Sequence, residues 1–363
     1  ENYRSTQQIL TAANELISHN TNRKGKVLWT GMDGGKALEL YYPEDEIREA
    51  QFISEMIKNL SVEDRMPYHD FGILVRTNSL SAAIENALLA ENIPYRVSGG
   101  QSFFQRKEVK DVIAYLRVLV NPDDDVNLLR IINTPRRGIG KTTLQKIRDV
   151  AAQKGISLYS AVSAIRWAED APVGAKAKEN LEEFLSLVEY YRETLLSGKN
   201  MADSTRALVE RIDYWGHLLQ EYQTNDNAAK WKYHNIGIFL DLFERWEKDP
   251  DTEDPDLYGW LNRISLITRD DDGDDEQGKV NLMTVHASKG LEFEVVFLAG
   301  VEDHLIPHAR AIEESEENLE EERRLFYVAI TRAKQKLYLT SCKTRKSMHE
   351  RSDSTPSRFL EEI

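Results

Sequence analysis

TPRRGIGKTTLQKI, residues Thr134 to Ile147, carries a Gly-Lys-Thr tripeptide that runs into a helical pattern. A phosphate-binding P-loop ends the same way. As a P-loop it would follow a buried strand and make the middle of the chain an α/β core. As an interhelical turn it leaves the middle wholly helical. Two features decide the matter. The first glycine of the P-loop pattern is replaced by Pro135, which offers no amide N–H and cannot adopt a positive φ. Upstream, Val126, Leu128, Leu129 and Ile132 follow helical rather than strand spacing. The stretch is therefore read as a Gly-Ile-Gly turn between two helices, the second beginning at Thr142 or Thr143. Arg136, Arg137 and Lys141 flank Gly138 and Gly140. Glycine amides, a helix N-terminus and three cations suit a nucleic-acid backbone. A glycine turn with solvated basic residues accounts for the same residues.

Outward from this turn the helical pattern extends from about Arg106 to Thr268. It includes Val109, Ile113, Leu116 and Leu119, then Leu181, Phe184, Leu187 and Tyr190, then Phe239, Leu242, Phe243 and Trp246. The chain ends differ. Phe71 to Val75, Val280 to Val285, Val295 to Ala299 and Lys336 to Thr340 are short, nearly continuous apolar runs. They suit strands buried on both faces of a parallel sheet. The segment RDDDGDDEQGK, Arg269 to Lys279, is read as an acidic linker. The expected fold class is α/β: a parallel-sheet domain built from both chain ends, with an all-α domain inserted between them. No internal repeat is found.

The 363 residues hold 47 Lys and Arg against 61 Asp and Glu, a net charge of −14. That balance argues against wholesale phosphate neutralisation. The acidity is concentrated, however, in Asp270 to Glu276 and in Glu313 to Glu322, blocks expected on solvated surfaces. No apolar run nears the roughly 20 residues of a membrane helix. The single cysteine, Cys342, excludes an intramolecular disulfide and suits a reducing cytoplasm. No metal-ligand pattern is found.

Three further segments group chemistry-bearing residues. In ENYRSTQQILTAANELI, Ser5 and Gln8 fit a capping box, which places Arg4 and Tyr3 beside a helix N-terminus. In NLMTVHASKGLEF, a buried strand ends in Thr284, His286, Ser288, Lys289 and Glu292, the end at which open α/β sheets bind ligands. In EEERRLFYVAITRA, helical spacing puts Leu325, Val328, Ala329 and Arg332 on one face. Arg332 then needs an anion, either a carboxylate of the protein or a ligand phosphate.

Together these segments resemble the UvrD/PcrA/Rep helicases of superfamily 1 over essentially the whole chain. NYRST is similar to their motif IV, LMTVHASKGLEF to motif V and EEERRLFYVAITRA to motif VI. SGGQSFFQRKEVKDVIAYLR, IINTPRRGIG and PSRFLEEI are also similar to family segments. The resemblance implies a RecA-like domain 2A over residues 1–102 and 272–363, with a helical domain 2B over 103–271. It implies ATP as ligand, with Arg4 and Arg332 on the γ-phosphate, Tyr3 on adenine and Glu292 on the ribose. Arg76, Asn78, Thr284 and His286 would hold single-stranded DNA. The Gly138–Gly140 turn, with Arg136, Arg137 and Lys141, would touch duplex DNA. The family's first motor domain, with its Walker motifs and most Mg2+ ligands, is not in this sequence. The expectation is a C-terminal portion, inactive alone, that works with 1A and 1B domains in 3′→5′ unwinding. A free-standing non-catalytic module that binds DNA or a partner, and a RecB-like helicase–nuclease arm, are the alternatives.

Overall fold

The computed structural model describes residues 5–21, 29–31, 34, 38–268, 278–346 and 351–363. Tyr3, Arg4 and residues 269–277 of the acidic segment lie outside them. The chain divides into two compact units, Glu1–Phe103 with Asp270–Ile363, and Phe104–Arg269. Along the first segment run α1 (Gln7–Ser18), β1 (Glu39–Tyr41), α2 (Glu46–Glu63), β2 (Phe71–Val75), α3 (Ser81–Ala90) and β3 (Tyr95–Ser98). The inserted unit is helical: α4 (Lys107–Val120), α5 (Asp125–Ile131), α6 (Lys141–Lys154), α7 (Leu158–Trp167), α8 (Ala175–Leu196), α9 (Met201–Arg211), α10 (Tyr214–Glu221), α11 (Asp226–Lys248) and α12 (Leu257–Thr268). The chain then returns through β4 (Val280–Thr284), β5 (Phe293–Ala299), α13 (Ala309–Glu314), α14 (Glu316–Ile330) and β6 (Ala333–Thr340). It ends in the hairpin of β7 (Thr344–Lys346) and β8 (Arg351–Asp353).

Six strands form one sheet in the order β1-β6-β5-β2-β4-β3, and every pairing is parallel. Side chains alternate across a strand, and here both sides are apolar. Phe71, Ile73 and Val75, with Val295, Phe297 and Ala299, pack with Ile53 and Ile57 of α2 and Ile84 and Leu88 of α3. Leu74, Val296 and Leu298 join the other core with Ile9 and Leu16 of α1 and Phe326 and Ile330 of α14. Burial on both faces is why these strands read as unbroken apolar runs. Gly72 interrupts β2 for a steric reason: a Cβ there would lie 2.3 Å from the Phe293 ring.

Several expectations need correction. β5 and β6 begin at Phe293 and Ala333, earlier than the apolar runs predict, and β4 stops at Thr284. β1 and β3 carry no apolar run because they are the edges of the sheet, and all three β1 residues are exposed. The capping box is not formed. Thr6 is the N-cap of α1 and makes no side-chain cap. The Ser5 hydroxyl donates instead to the Ala333 carbonyl at 2.7 Å, which fixes the start of α1 to β6. Working side-chain caps occur at Asp45, which accepts from Ile47 and Arg48 N–H, and at Ser315, which accepts from Asn318 N–H. The second acidic block is not uniformly solvated either, since Glu320 and Glu322 are buried.

In the helical unit α5 precedes the Gly-Ile-Gly turn, so no strand leads into it. α6 starts at Lys141, one residue before the expected range, with Gly140 as N-cap. Around Trp260 of α12, the Phe243 ring stacks with centroids 4.9 Å apart and Phe239 and Trp246 close the cluster.

At the ends of β5 and β6, Arg345 is enclosed by carboxylates. It donates to Glu49 at 2.9 Å and to Glu302 at 2.5 and 2.9 Å. Glu49 also accepts from Gly300 N–H and the Thr340 hydroxyl, and Glu302 from Cys342 N–H. Burial works against the charge of Arg345, yet Glu49 and Glu302 hold its pKa well above the ordinary value. Burial, reinforced by Glu49, pushes the Cys342 thiol up. Glu49, Glu302 and Cys342 lie close enough together to share a metal ion, but Arg345 bonds to all three and a divalent cation does not fit beside it. Arg345→Ala should lower stability by about 3–5 kcal/mol, because it strands buried carboxylates. Denaturant unfolding of the variant checks this.

Candidate functional site

Because the strands are parallel, the sheet has one edge of strand starts and one of strand ends. Val75 pairs with Thr284 and with Ala299, so these three mark the carboxyl edge. Phe293 pairs with Ala333 at the amino edge. The residues singled out from sequence fall on both.

The carboxyl edge gathers Arg76 and Asn78 after β2 with Thr284 at the end of β4 and His286 just beyond it. Residues that follow β3 pack between them. Gly99 has φ +73°, and a Cβ on it would meet the Ala287 Cβ at 2.3 Å. A Cβ on Gly100 would lie 2.7 Å from the Asn78 amide. Two glycines thus let the chain leaving β3 pass directly against Ala287 and the Asn78 amide. The Thr284 hydroxyl accepts from Ala287 N–H and caps the short 3-10 turn of Val285–Ser288, leaving His286 exposed. Ser288 is buried and donates to the Val285 carbonyl, a purely local role.

Arg76 is held by a residue on another element. Its Nε and Nη2 donate to the two Glu322 oxygens at 3.1 and 2.6 Å. The side chains are 18% and 10% exposed. The His308 N–H adds a third donor to Glu322 at 3.0 Å. Burial raises the Glu322 pKa, but the Arg76 and His308 hydrogen bonds and the Arg76 charge outweigh it, and the net shift is downward.

At the amino edge, Glu292 immediately precedes β5 and Arg332 immediately precedes β6. This separates Glu292 from the cluster expected around Thr284, because residues 285–292 carry the chain from one edge to the other. Arg332 also departs from its expected setting. The buried face of α14 is Glu322, Phe326, Ala329 and Ile330, whereas Leu325 and Val328 are only half-buried. Arg332 lies beyond the helix end and donates to the Val328 and Leu291 carbonyls and the Thr331 hydroxyl. Its side chain is oriented by backbone acceptors. Glu292 is exposed and lies 3.4 Å from Lys334, which also pairs with Glu294 at 3.0 Å. Thr6 N–H donates to the Lys334 carbonyl at 3.1 Å, so the described chain starts at this same edge. Tyr3 and Arg4 lie outside the described residues. Lys334 sits between Glu292 and Glu294, a donor set that does not fit a Mg2+ ion.

The third site lies within the helical unit. Asn133 organises the turn: its side-chain oxygen accepts from Arg137 N–H at 2.8 Å and Ile139 N–H at 3.2 Å. Ile139 is fully buried, while Arg136, Gly138, Gly140 and Lys141 are exposed. Gly138 takes φ +70°, the left-handed conformation that a side chain disfavours. The two arginines differ. The Arg137 guanidinium turns inward between the Tyr115 and Phe184 rings, at 5.8 and 5.4 Å, and donates to the Ile131 and Pro135 carbonyls and the Tyr115 hydroxyl. Arg136 remains at the surface.

The family described as UvrD-like helicase C-terminal domain matches residues 1–344. The chain belongs to this family. Relatives include the ATP-dependent DNA helicases PcrA of Bacillus subtilis, 40% identical over 369 residues, and of Staphylococcus epidermidis, 38% identical over 368. PcrA of Staphylococcus aureus is 37% identical over 365 residues. Each alignment covers 100% of this chain and 49% of the relative, so the chain spans about half the length of these relatives. Among the described residues no helix is long and apolar enough to cross a membrane.

Sequence reasoning did not single out Glu322, Asn133 or Gly99 as site residues. Glu322 was legible in principle: spacings of four to Phe326 and seven to Ala329 put it on the buried stripe, not on a solvated face. The inward course of Arg137 gives a separable expectation. Arg137→Ala should lower the thermal midpoint by several degrees, and Arg136→Ala should leave it unchanged within about a degree. Scanning calorimetry of the two variants measures the difference.

Proposed function

We propose that this chain is the C-terminal half of an ATP-driven DNA helicase that moves 3′→5′ on a single strand. One observation carries the reading: the sheet presents a polar cluster at each edge, and α14 runs between them. Glu322 of α14 meets Arg76 at the carboxyl edge, and the chain leaves the helix into Arg332 at the amino edge. On this reading Arg332 and Arg4 contact the ATP γ-phosphate, Tyr3 stacks on adenine and Glu292 accepts from the ribose. The half-burial of Arg332 and the tethering of Ser5, next to Arg4 in the sequence, to Ala333 support an anion-binding role for that edge, and the exposed Glu292 offers an acceptor for ribose hydroxyls. A guanidinium oriented by the Val328 and Leu291 carbonyls and the Thr331 hydroxyl is preorganised to stabilise charge on a transferring phosphoryl group. The first motor domain supplies the P-loop and most of the Mg2+ ligands, so residues 1–363 alone do not hydrolyse ATP. Arg76, Asn78, Thr284 and His286 hold single-stranded DNA, and RecA-like domain 2A comprises residues 1–102 and 272–363.

Residues 103–271 act as domain 2B. Gly138, Gly140, Arg136 and Lys141 grip duplex DNA through its phosphates, and Arg137 keeps the turn in shape. This assignment follows from exposed amides and cations on a turn that the protein itself holds.

In the complete gene product, Arg332→Ala should fold with near-normal circular dichroism and lose ATP hydrolysis by about a thousandfold. Hydrolysis at the wild-type rate would remove Arg332 from the phosphate. Arg136→Ala combined with Lys141→Ala should weaken duplex binding and flatten its salt dependence by about one unit of slope per lost phosphate contact. Titrations at several salt concentrations read this out.

A further inference from the structure

Glu322 does more than neutralise a buried charge. A guanidinium carries five N–H groups in a rigid fork. Glu322 takes the Nε and Nη2 side of that fork, leaving the Nη1 side outside the pair. The carboxylate has little freedom of its own. The His308 N–H fixes one oxygen, and α14 is anchored in the core through Phe326, Ala329 and Ile330. Asn78, Thr284 and His286 share the edge at which Arg76 emerges.

We propose that Glu322 is a positioning residue that aims the remaining N–H edge of Arg76 at a backbone phosphate of single-stranded DNA crossing the carboxyl edge of the sheet. This inference rests on the reading that this edge holds a single strand. It differs from simple charge competition. A competing carboxylate would weaken DNA binding, so its removal would tighten it; a positioning carboxylate does the opposite. Glu322→Gln also removes one negative charge, and that change alone would favour DNA. A loss of affinity therefore runs against the bulk electrostatic trend.

The test uses the complete gene product without nucleotide and a fluorescent oligothymidylate, with affinity measured by anisotropy across a salt series. Arg76→Ala and Glu322→Gln should each weaken binding roughly tenfold, the loss of a charge-assisted hydrogen bond. The double variant should bind no more weakly than Arg76→Ala. Each single variant should also lose the same increment of salt slope, about 0.7 for one single-strand phosphate contact; a merely structural role would not move that slope. If Glu322→Gln does not fold, Glu322→Asp keeps the charge, withdraws the carboxylate by one methylene and should weaken binding likewise. Unchanged or tighter binding by the folded Glu322 variant, with Arg76→Ala weakened, overturns this proposal and leaves the single-strand reading standing. Unchanged binding by Arg76→Ala overturns both.

Discussion

All six strands of the sheet run in one direction, and much of the molecule follows from that constraint. Each connection between parallel strands must carry the chain back across a face, from the edge where strands end to the edge where they begin. The short connection 285–292 and the long one through α14 both do this. As a result, residues close in sequence, such as His286 and Glu292, stand at opposite edges. Residues far apart, such as Ser5 and Ala333, meet. The crossings also cover the sheet on both faces, which satisfies its two apolar surfaces.

Buried and half-buried arginines recur, each with a different set of acceptors. Arg345 lies between Glu49 and Glu302, Arg323 pairs with Glu362 and Asn20, Arg76 pairs with Glu322, and Arg137 is lined by carbonyls and rings. Such groups are expensive to desolvate and contribute little net stability against apolar replacements. Their geometry is demanding, however, and it ties elements distant in sequence into one arrangement. Arg345 links β7 to α2 and to the segment after β5, and Arg323 links α14 to the chain terminus. These pairs also show where the net charge misleads: several of the 61 acidic residues are internal partners of arginine rather than a repelling surface.

The central strands were readable because burial on both faces leaves a continuous apolar run. The edge strands β1 and β3 were not, because an edge needs no such run. Helical spacing located α14 but assigned its face one register off, since Val328 and Leu325 are apolar yet only half-buried. The pattern of residue types could not distinguish Arg136 from Arg137, adjacent and identical. What separates them is a cage of Tyr115 and Phe184, contributed by helices remote in the chain. Pro135 and the helix before it did suffice to set aside a P-loop in this turn, because both tests are local.

The turn at Gly138 is held by Asn133 and Arg137, through contacts that lie wholly within the helical unit. Its ordering cost is incurred when the helical unit folds, so the duplex contact proposed for it would not have to supply that cost. Association at such a surface involves little loss of backbone entropy, and little of the heat-capacity change that accompanies coupled folding. In the duplex-binding role proposed for it, a turn fixed in this way would discriminate by shape, favouring a regular backbone whose phosphate spacing matches its own.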